Sequence, residues 1–438
     1  MTKEEKYALA RWAMNHAIEK GADQARVAIS DNKSSDIDVR EKKIDTLKEA
    51  IQSKMTIYLY VDKKYSAIST NRLNQKELAR FIEEAIEATR FLAEDEFRTL
   101  PNPDLYYKGD GPDLKTCDPG FESVDAKTKI DIVFGVEDEI YKKDDRIISV
   151  TAGYSDGVNS RIMVASNGFE GDTESSYYYL NAQVTVNGGD ARPESSDYKS
   201  SINFNDLTKT GIAETALQRA LGKIGQTKID SGKYTMLVEN RSVGRLLGPV
   251  MNALNGSAIQ QKNSFMINKM DQQFGSSKLN IFDDPWIIGG RGSKLFDSEG
   301  MAMKKRAVFD KGVLKTYFID TYYGNKLGMA PNSGETSNLA FEPGENNLDT
   351  MVKSLKKGIL VTGFNGGNCN SSTGDFSYGI EGFLIENGEK VKPVSEMNIT
   401  GNMHDLWSNL VELGSDVRVD SSWRTPSLMF ANVDFSGM

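Results

Sequence analysis

The chain is short of the residues that most hydrolases use to move protons and hold metals. It has two histidines, His16 and His404, and two cysteines, Cys117 and Cys369, in 438 residues. With so little imidazole, no Ser-His-Asp or Cys-His set can be drawn at a recognisable spacing. A zinc site needs three or four N, S or O ligands, and no clustered Cys/His spacing exists. No segment matches a calcium loop. Two distant cysteines also exclude a disulfide framework and point to free thiols in a reducing compartment. No run approaches about 18 apolar residues, and the opening MTKEEKYALARW lacks an apolar signal core. The expectation is a cytoplasmic protein with no membrane contact. Positive charge is in deficit as well: Lys+Arg number 53 against 62 Asp+Glu, a net charge of -9. The basic clusters KKIDTLK, MKKR and KSLKK are short and read as solvated faces, so direct nucleic-acid binding is not expected.

What is present is an ordinary globular composition, 39% hydrophobic and 26% charged, in a chain long enough for two or three domains. A helix is expected over Lys3–Lys20, stopped by Gly21. Alternating segments follow: QARVAIS, SDIDVRE, then MTIYLYV and KYSAIST joined at DKK as a hairpin. Asn74 caps a second helix carrying Leu78, Phe81, Ile82, Ala85, Ile86 and Leu92. The Pro-, Gly- and Asp-rich stretch 96–122 reads as a linker. A helix near Val124–Lys142 precedes three β-runs, with Asp156-Gly157 and Asn167-Gly168 as the hairpin turns between them. A helix near Asp206–Lys223 closes that unit, and strands dominate from GKYTMLVEN onward. The fold class is α+β. It comprises a small helix and antiparallel-sheet unit (1–95), the linker (96–122), a central α+β unit (123–228) and a β-rich C-terminal domain (229–438).

One stretch has strong periodicity and no chemistry. NRSVGRLLGPVMNALNGSAIQQK, from Asn240 to Lys262, places Val243, Leu246, Leu247, Val250, Met251 and Leu254 on one helical face. It contains no His, Cys, Asp or Glu, and Gly248-Pro249 interrupts it. We read that pair as a kink or a fresh helix start. Elsewhere, His16 reads as a helix-packing residue and His404, in GNMHDLW, as the polar start of a helix with Leu406, Trp407, Leu410 and Val411. GGRGSK (Gly289–Lys294) lacks the order of a phosphate-binding P-loop and reads as a turn. Cys369 has small polar neighbours and no adjacent base, so it reads as a structural loop cysteine. Its segment, GGNCNSSTGDFSYG, exposes backbone groups at little steric cost. Two readings of Thr373, Gly374, Asp375, Phe376 and Ser377 stay open: a site beside a cavity where an extended peptide meets a strand edge, and a tight structural turn.

FDSEGMAMKKRAVFDKGVLKTYFIDTYYGNKLG and STGDFSYGIEGFLIENGEKVKPVSEMNITGN resemble two blocks of the TldD/PmbA family, the second in the form of its PmbA (TldE) branch. The family is linked to metal-dependent peptide cleavage and to the label "modulator of DNA gyrase". The resemblance places the His, Glu and His of the TldD branch's H-E-x-x-x-H helix near Gly248, Pro249 and Ala253. None of the three can bind zinc or act as a base. The late-cysteine region is DVRVDSSWRTPSL, which has no cysteine. The resemblance therefore implies a chain without metal or catalytic residues: the TldE-type half of a cytoplasmic TldD–TldE protease acting on unfolded peptides. Zinc or a similar metal would lie in the TldD-type partner, and activity is expected only with it. The alternatives are a homo-oligomeric (homodimeric) peptide-binding or scaffold protein, a gyrase regulator acting through protein contacts, and an independent enzyme with an unrecognised carboxylate site.

Overall fold

The computed structural model describes residues 1–437. Helix α1 (Lys3–Glu19) starts in a reciprocal cap, with Thr2 and Glu5 each bonding the other's backbone N–H. It leads into three antiparallel strands, β1 (Gln24–Arg40), β2 (Lys43–Val61) and β3 (Lys64–Thr70), and then α2 (Gln75–Thr89), capped by Asn74. Both hairpins turn on two left-handed residues, Glu41-Lys42 and Asp62-Lys63, the geometry that matches strand twist. The next unit holds α3 (Ala126–Asp138), β4 (Ile147–Ala165), β5 (Glu170–Val186), β6 (Glu194–Ser201) and α4 (Ile212–Leu221).

These two units share one sheet, in the order β3-β2-β1-β4-β5-β6. β1 pairs with β4 from Arg26 opposite Ala165 to Arg40 opposite Thr151. The odd-numbered residues of β1 face the helices. Val27 and Ile29 pack with α1 and α2, and Ile37 and Val39 with α3 and α4. The opposite face, with Ala28, Tyr60, Met163 and Ala165, receives Leu100 and Tyr106 from the 96–122 stretch and Phe296 from the C-terminal region. That stretch is irregular yet packed, and Leu100, Tyr106, Leu114 and Phe121 are buried within it.

The C-terminal region contains β7 (Gly232–Val238), α5 (Gly244–Ala253), α6 (Gly256–Gln260), β8 (Ile281–Asp284), β9 (Arg306–Asp310), β10 (Val313–Leu314), α7 (Thr321–Leu327) and β11 (Asn338–Phe341). It continues with α8 (Leu348–Ser354), β12 (Lys357–Cys369), β13 (Asp375–Glu386), β14 (Glu389–Asn402), α9 (Met403–Ser408), β15 (Leu410–Leu413), β16 (Trp423–Arg424) and β17 (Leu428–Gly437). Strands β14-β13-β12-β7-β17 close on themselves because β14 also pairs with β17, so this sheet forms a ring. A second sheet, β10-β9-β8-β11-β16, packs beside it. Arg219 of α4 reaches the C-terminal region, its two Nη atoms donating to the Glu239 carboxylate at 2.8 Å each.

The α+β class holds, and several local expectations need correcting. Leu92 is not on α2, which ends at Thr89, and it is exposed. Asp156-Gly157 is not a turn; it lies inside the 19-residue β4. Asp156 is held there by Lys129 of α3 (2.7 Å), and Gly157 is needed because a Cβ would meet the Tyr177 ring at 2.6 Å. The segments QARVAIS and SDIDVRE are one strand, β1, kept in register through its polar middle by β2 and β4. The helical stretch breaks at Leu254-Asn255, where Asn255 caps α6, and Gly248-Pro249 stays inside α5. Finally, α9 ends at Ser408, so Leu410 and Val411 fall on β15.

Candidate functional site

Helix α5 has two unlike faces. Leu246, Leu247, Val250 and Met251 are buried in the main apolar core. Gly244, Arg245, Gly248, Pro249 and Asn252 face the other way and form one wall of a cleft of about 640 Å³. A Cβ added at Gly248 would touch only Trp423, at 3.9 Å, so this wall is low and open. Ser257 of α6 and Gln261, just past its end, flank it. The far wall is the end of β12 from Gly367 to Cys369, with Ser371 and Tyr378.

That far wall is a strand with one edge unpaired by any strand. β12 pairs with β13 almost throughout, but with β7 only from Gly358 to Val361. Beyond Val361 the β7 side of β12 turns toward α5. Gly366 (φ 62°) and Gly367 (φ 75°) bulge the strand through left-handed conformations. Their two carbonyls accept hydrogen bonds from Arg245 Nη2 at 2.9 and 2.7 Å. The guanidinium also lies 4.7 Å from the centre of the Tyr378 ring.

Among the lining residues Arg245 is the one carrying a full charge. Burial pushes the Tyr378 hydroxyl up to about 12, with the Cys369 charge adding to it and the Arg245 cation opposing. Burial first, and then the Asp375 carboxylate, raise the Cys369 thiol. It therefore stays protonated at neutral pH and is a poor nucleophile and a poor metal ligand. Gly248, Pro249 and Ala253 all line the cleft and offer no donor atom on a side chain. A catalytic metal of the kind linked to the TldD branch does not fit this lining, which has no imidazole and no carboxylate. Among the described residues no group of three or more His, Cys, Asp or Glu is placed to hold a metal ion.

The two histidines sit elsewhere. His16 stacks on Trp12 and lies 3.2 Å from Glu83, and His404 is exposed at the start of α9. Thr373 and Gly374 lead into β13, which begins with Asp375–Ser377 just outside the cleft, and none of these five residues lines it. The turn satisfies itself. Thr373 Oγ1 donates to Asp375 Oδ2 (2.7 Å), and Asn402 Nδ2 donates to the Thr373 carbonyl and to Asp375 Oδ1 (both 2.9 Å). Gly374 supplies the left-handed corner at φ 81°. Phe376 faces a separate, smaller cleft that also contains Lys233 and Asp405. Gly289–Lys294 forms tight turns, with Ser293 N–H donating to the Gly290 carbonyl and Lys294 paired with Glu335. Sequence reading passed over Arg245, Asn252, Asn368 and Tyr378. Arg245 did carry a signal, because a cation in a helix's first turn opposes the helix dipole.

Three family models cover most of the chain, each described as a PmbA/TldA metallopeptidase domain: the first at residues 25–89, the central at 119–224 and the C-terminal at 231–437. The chain belongs to the PmbA/TldD family. A PmbA/TldD relative from Haemophilus influenzae, named metalloprotease PmbA homolog, is 25% identical over 435 residues, covering 98% of this chain and 96% of its own. A Bacteroides thetaiotaomicron crystal structure, described as a candidate modulator of DNA gyrase, is 50% identical with a TM-score of 0.98, over 100% of both chains. TldE from Thermococcus kodakarensis shares the PmbA/TldD fold at a TM-score of 0.86 and 19% identity, over 98% of this chain and 100% of its own. Among the described residues of this PmbA/TldD chain, no helix is long and apolar enough to cross a membrane.

Proposed function

We propose that this chain is the non-catalytic, TldE-like subunit of a cytoplasmic TldD–TldE-type metalloprotease that processes unfolded peptides. The observation that carries the reading is the lining of the α5 cleft. Gly248, Pro249 and Ala253, which the family resemblance sets against the TldD-branch metal motif, line the cleft and bring no side-chain ligand or base to it. Hydrolysis needs an activated water or nucleophile, and neither the cleft nor its thiol supplies one. The partner supplies metal and base, and this chain contributes wall and floor to a shared chamber. The edge of β12 beyond Val361, which no strand covers and where Arg245 holds two of the carbonyls, is the edge on which an extended peptide pairs.

The partner also has a surface to cover. β3 pairs only with residues Met55–Val61 of β2, so the outer edge of Lys43–Lys54 is open. Ile44, Leu47 and Ile51 are exposed along it by 43, 56 and 76%. Open apolar strand edges are normally covered.

The test mixes the chain and a TldD-type partner, separately and together, with an unstructured peptide and follows fragments by mass. The chain alone leaves the peptide intact, the pair cleaves it, and a partner lacking the motif glutamate is inert in the pair. Elemental analysis finds no stoichiometric zinc or iron in the pure chain. Chelator-resistant cleavage by the chain alone after repeated purification overturns the reading. If the chain forms stable homodimers and captures no metalloprotease from its native cell, the homo-oligomeric scaffold takes its place.

A further inference from the structure

The α5 cleft has a polarity of its own. Its one full charge is positive, and no acidic side chain lines it. Arg245 uses one nitrogen, Nη2, to bond the carbonyls of Gly366 and Gly367. Those bonds and the Tyr378 ring fix the plane of the guanidinium, while its Nε and Nη1 make no hydrogen bond among the described residues. An arginine that is anchored but half unused is set up to bind a planar anion through the remaining donors.

The surroundings fit a peptide carrying that anion. Asn252, Gln261 and Asn368 line the cleft, and their carboxamides make no hydrogen bond among the described residues. Each offers a donor and an acceptor to a peptide unit. Pro249 has no N–H, so the Arg245 carbonyl lacks its usual helical partner four residues on. At Gly244 and Gly248 an added Cβ would find only Trp423, at 3.8 and 3.9 Å, which leaves room for a main chain to approach α5. The position of Arg245 is unfavourable for the helix itself, since a cation in the first turn meets the positive end of the dipole. A bound anion beside it removes that penalty.

We propose that the α5 cleft binds the carboxylate of a peptide, with Arg245 as its anchor. The proposal rests on the reading of this chain as half of a peptide chamber. It adds that the metal-free half selects and orients its ligand by charge. Two sources share the chemistry: the C-terminal α-carboxylate of a peptide, and an Asp or Glu side chain within it.

The experiment measures binding of fluorescent unstructured peptides to the full chain by anisotropy. Three peptides share one sequence without acidic residues: a free C-terminal acid, its C-terminal amide, and the amide with one internal Glu. On the wild-type chain, one or both carboxylate-bearing peptides bind about tenfold or more tighter than the plain amide, and added salt narrows the difference. Whichever carboxylate peptide binds tighter identifies the source. Arg245→Gln removes the difference between the carboxylate and amide peptides, and Arg245→Lys restores part of it. A distant control, Lys233→Gln, leaves it in place. The acid-to-amide ratio on the wild-type chain needs no variant, so a misfolded substitution does not leave the question open. Equal binding of all three peptides overturns the carboxylate site but leaves the peptide chamber standing. If none of the three binds, alone or with the TldD-type partner, both readings fall. A carboxylate preference that survives Arg245→Gln overturns Arg245 as the anchor.

Discussion

Lys129 and Arg245 are both cations near the start of a helix, and the protein treats them in opposite ways. Lys129 of α3 is buried, 7% exposed, with its ammonium 2.7 Å from Asp156 Oδ2 and 3.0 Å from Ser35 Oγ. The Tyr154 hydroxyl donates to the same Asp156 oxygen at 2.7 Å. That charge belongs to the fold, since it fastens a helix to the middle of the long sheet. Arg245 stands on the rim of an open cleft with donors to spare. Where a charge is buried against its counter-charge it specifies structure. Where it is held in place but incompletely matched, it is available to a ligand.

Substitutions sharpen this contrast, and the largest effect belongs to the sheet. Lys129→Ala leaves Asp156 buried without its counter-charge and lowers unfolding stability by about 3–5 kcal/mol in urea titrations. Adding Asp156→Asn in the same chain recovers part of that loss. A loss below about 1 kcal/mol would break the claim that this pair fastens α3. In the cleft wall, Gly367→Ala is next. Its Cβ would lie 2.0 Å from the Ser377 carbonyl oxygen, and φ is 75°, so a cost of about 2–3 kcal/mol is expected, with β12 displaced from Arg245. Gly366→Ala, at φ 62° with open space around the new methyl, costs about 1 kcal/mol. Equal melting shifts for the two glycines would show that contact with β13 plays no part.

A smaller effect is confined to acid. Burial works to raise the Asp118 carboxyl, but the Phe204 and Gly120 N–H groups and the Tyr178 hydroxyl outweigh it and hold it below its ordinary 3.8. A depressed carboxyl contributes stability that is complete above the unfolded value and is lost as pH falls through the folded one. Asp118→Asn therefore flattens the fall of stability with acid below about pH 4. An unchanged acid limb, measured by unfolding across that range, counts against these hydrogen bonds. The smallest effect on stability belongs to Arg245→Gln, within about 0.5 kcal/mol, because the side chain is exposed and its role is toward a ligand.

The sequence showed periodicity well and pairing poorly. The buried faces of α2 and α5 follow from the spacing of their apolar residues, and Asn167-Gly168 lies in the β4–β5 turn, where Gly168 is the left-handed residue of the pair. Asp156-Gly157 has the same turn chemistry and lies mid-strand, because the residue that decides it, Lys129, comes from another element. β1 looked like two strands because Asp31–Ser34 is polar, and only its two neighbours show why it runs on. The cleft was half legible. The family resemblance points to Gly248, Pro249 and Ala253, which lie in its lining. Arg245 gains its meaning from Gly366 and Gly367, more than a hundred residues away, and no local pattern connects them.

The shared sheet has a consequence for synthesis. β1 lies between β2 and β4, and its partner on the β4 side, Thr151–Ala165, is made more than a hundred residues after it. At ribosomal rates of about 5–20 residues per second, that edge waits on the order of ten seconds for its neighbour. During the wait it is an open template for any other strand. The middle of β1 carries Asp31, Lys33, Asp36 and Asp38, charges that a stray apolar strand would have to bury. The polar stretch that disguised β1 in the sequence thus acts as a guard on a nascent edge, and replacing it with an unbroken Val/Ile run would be expected to drive newly made chains into aggregates.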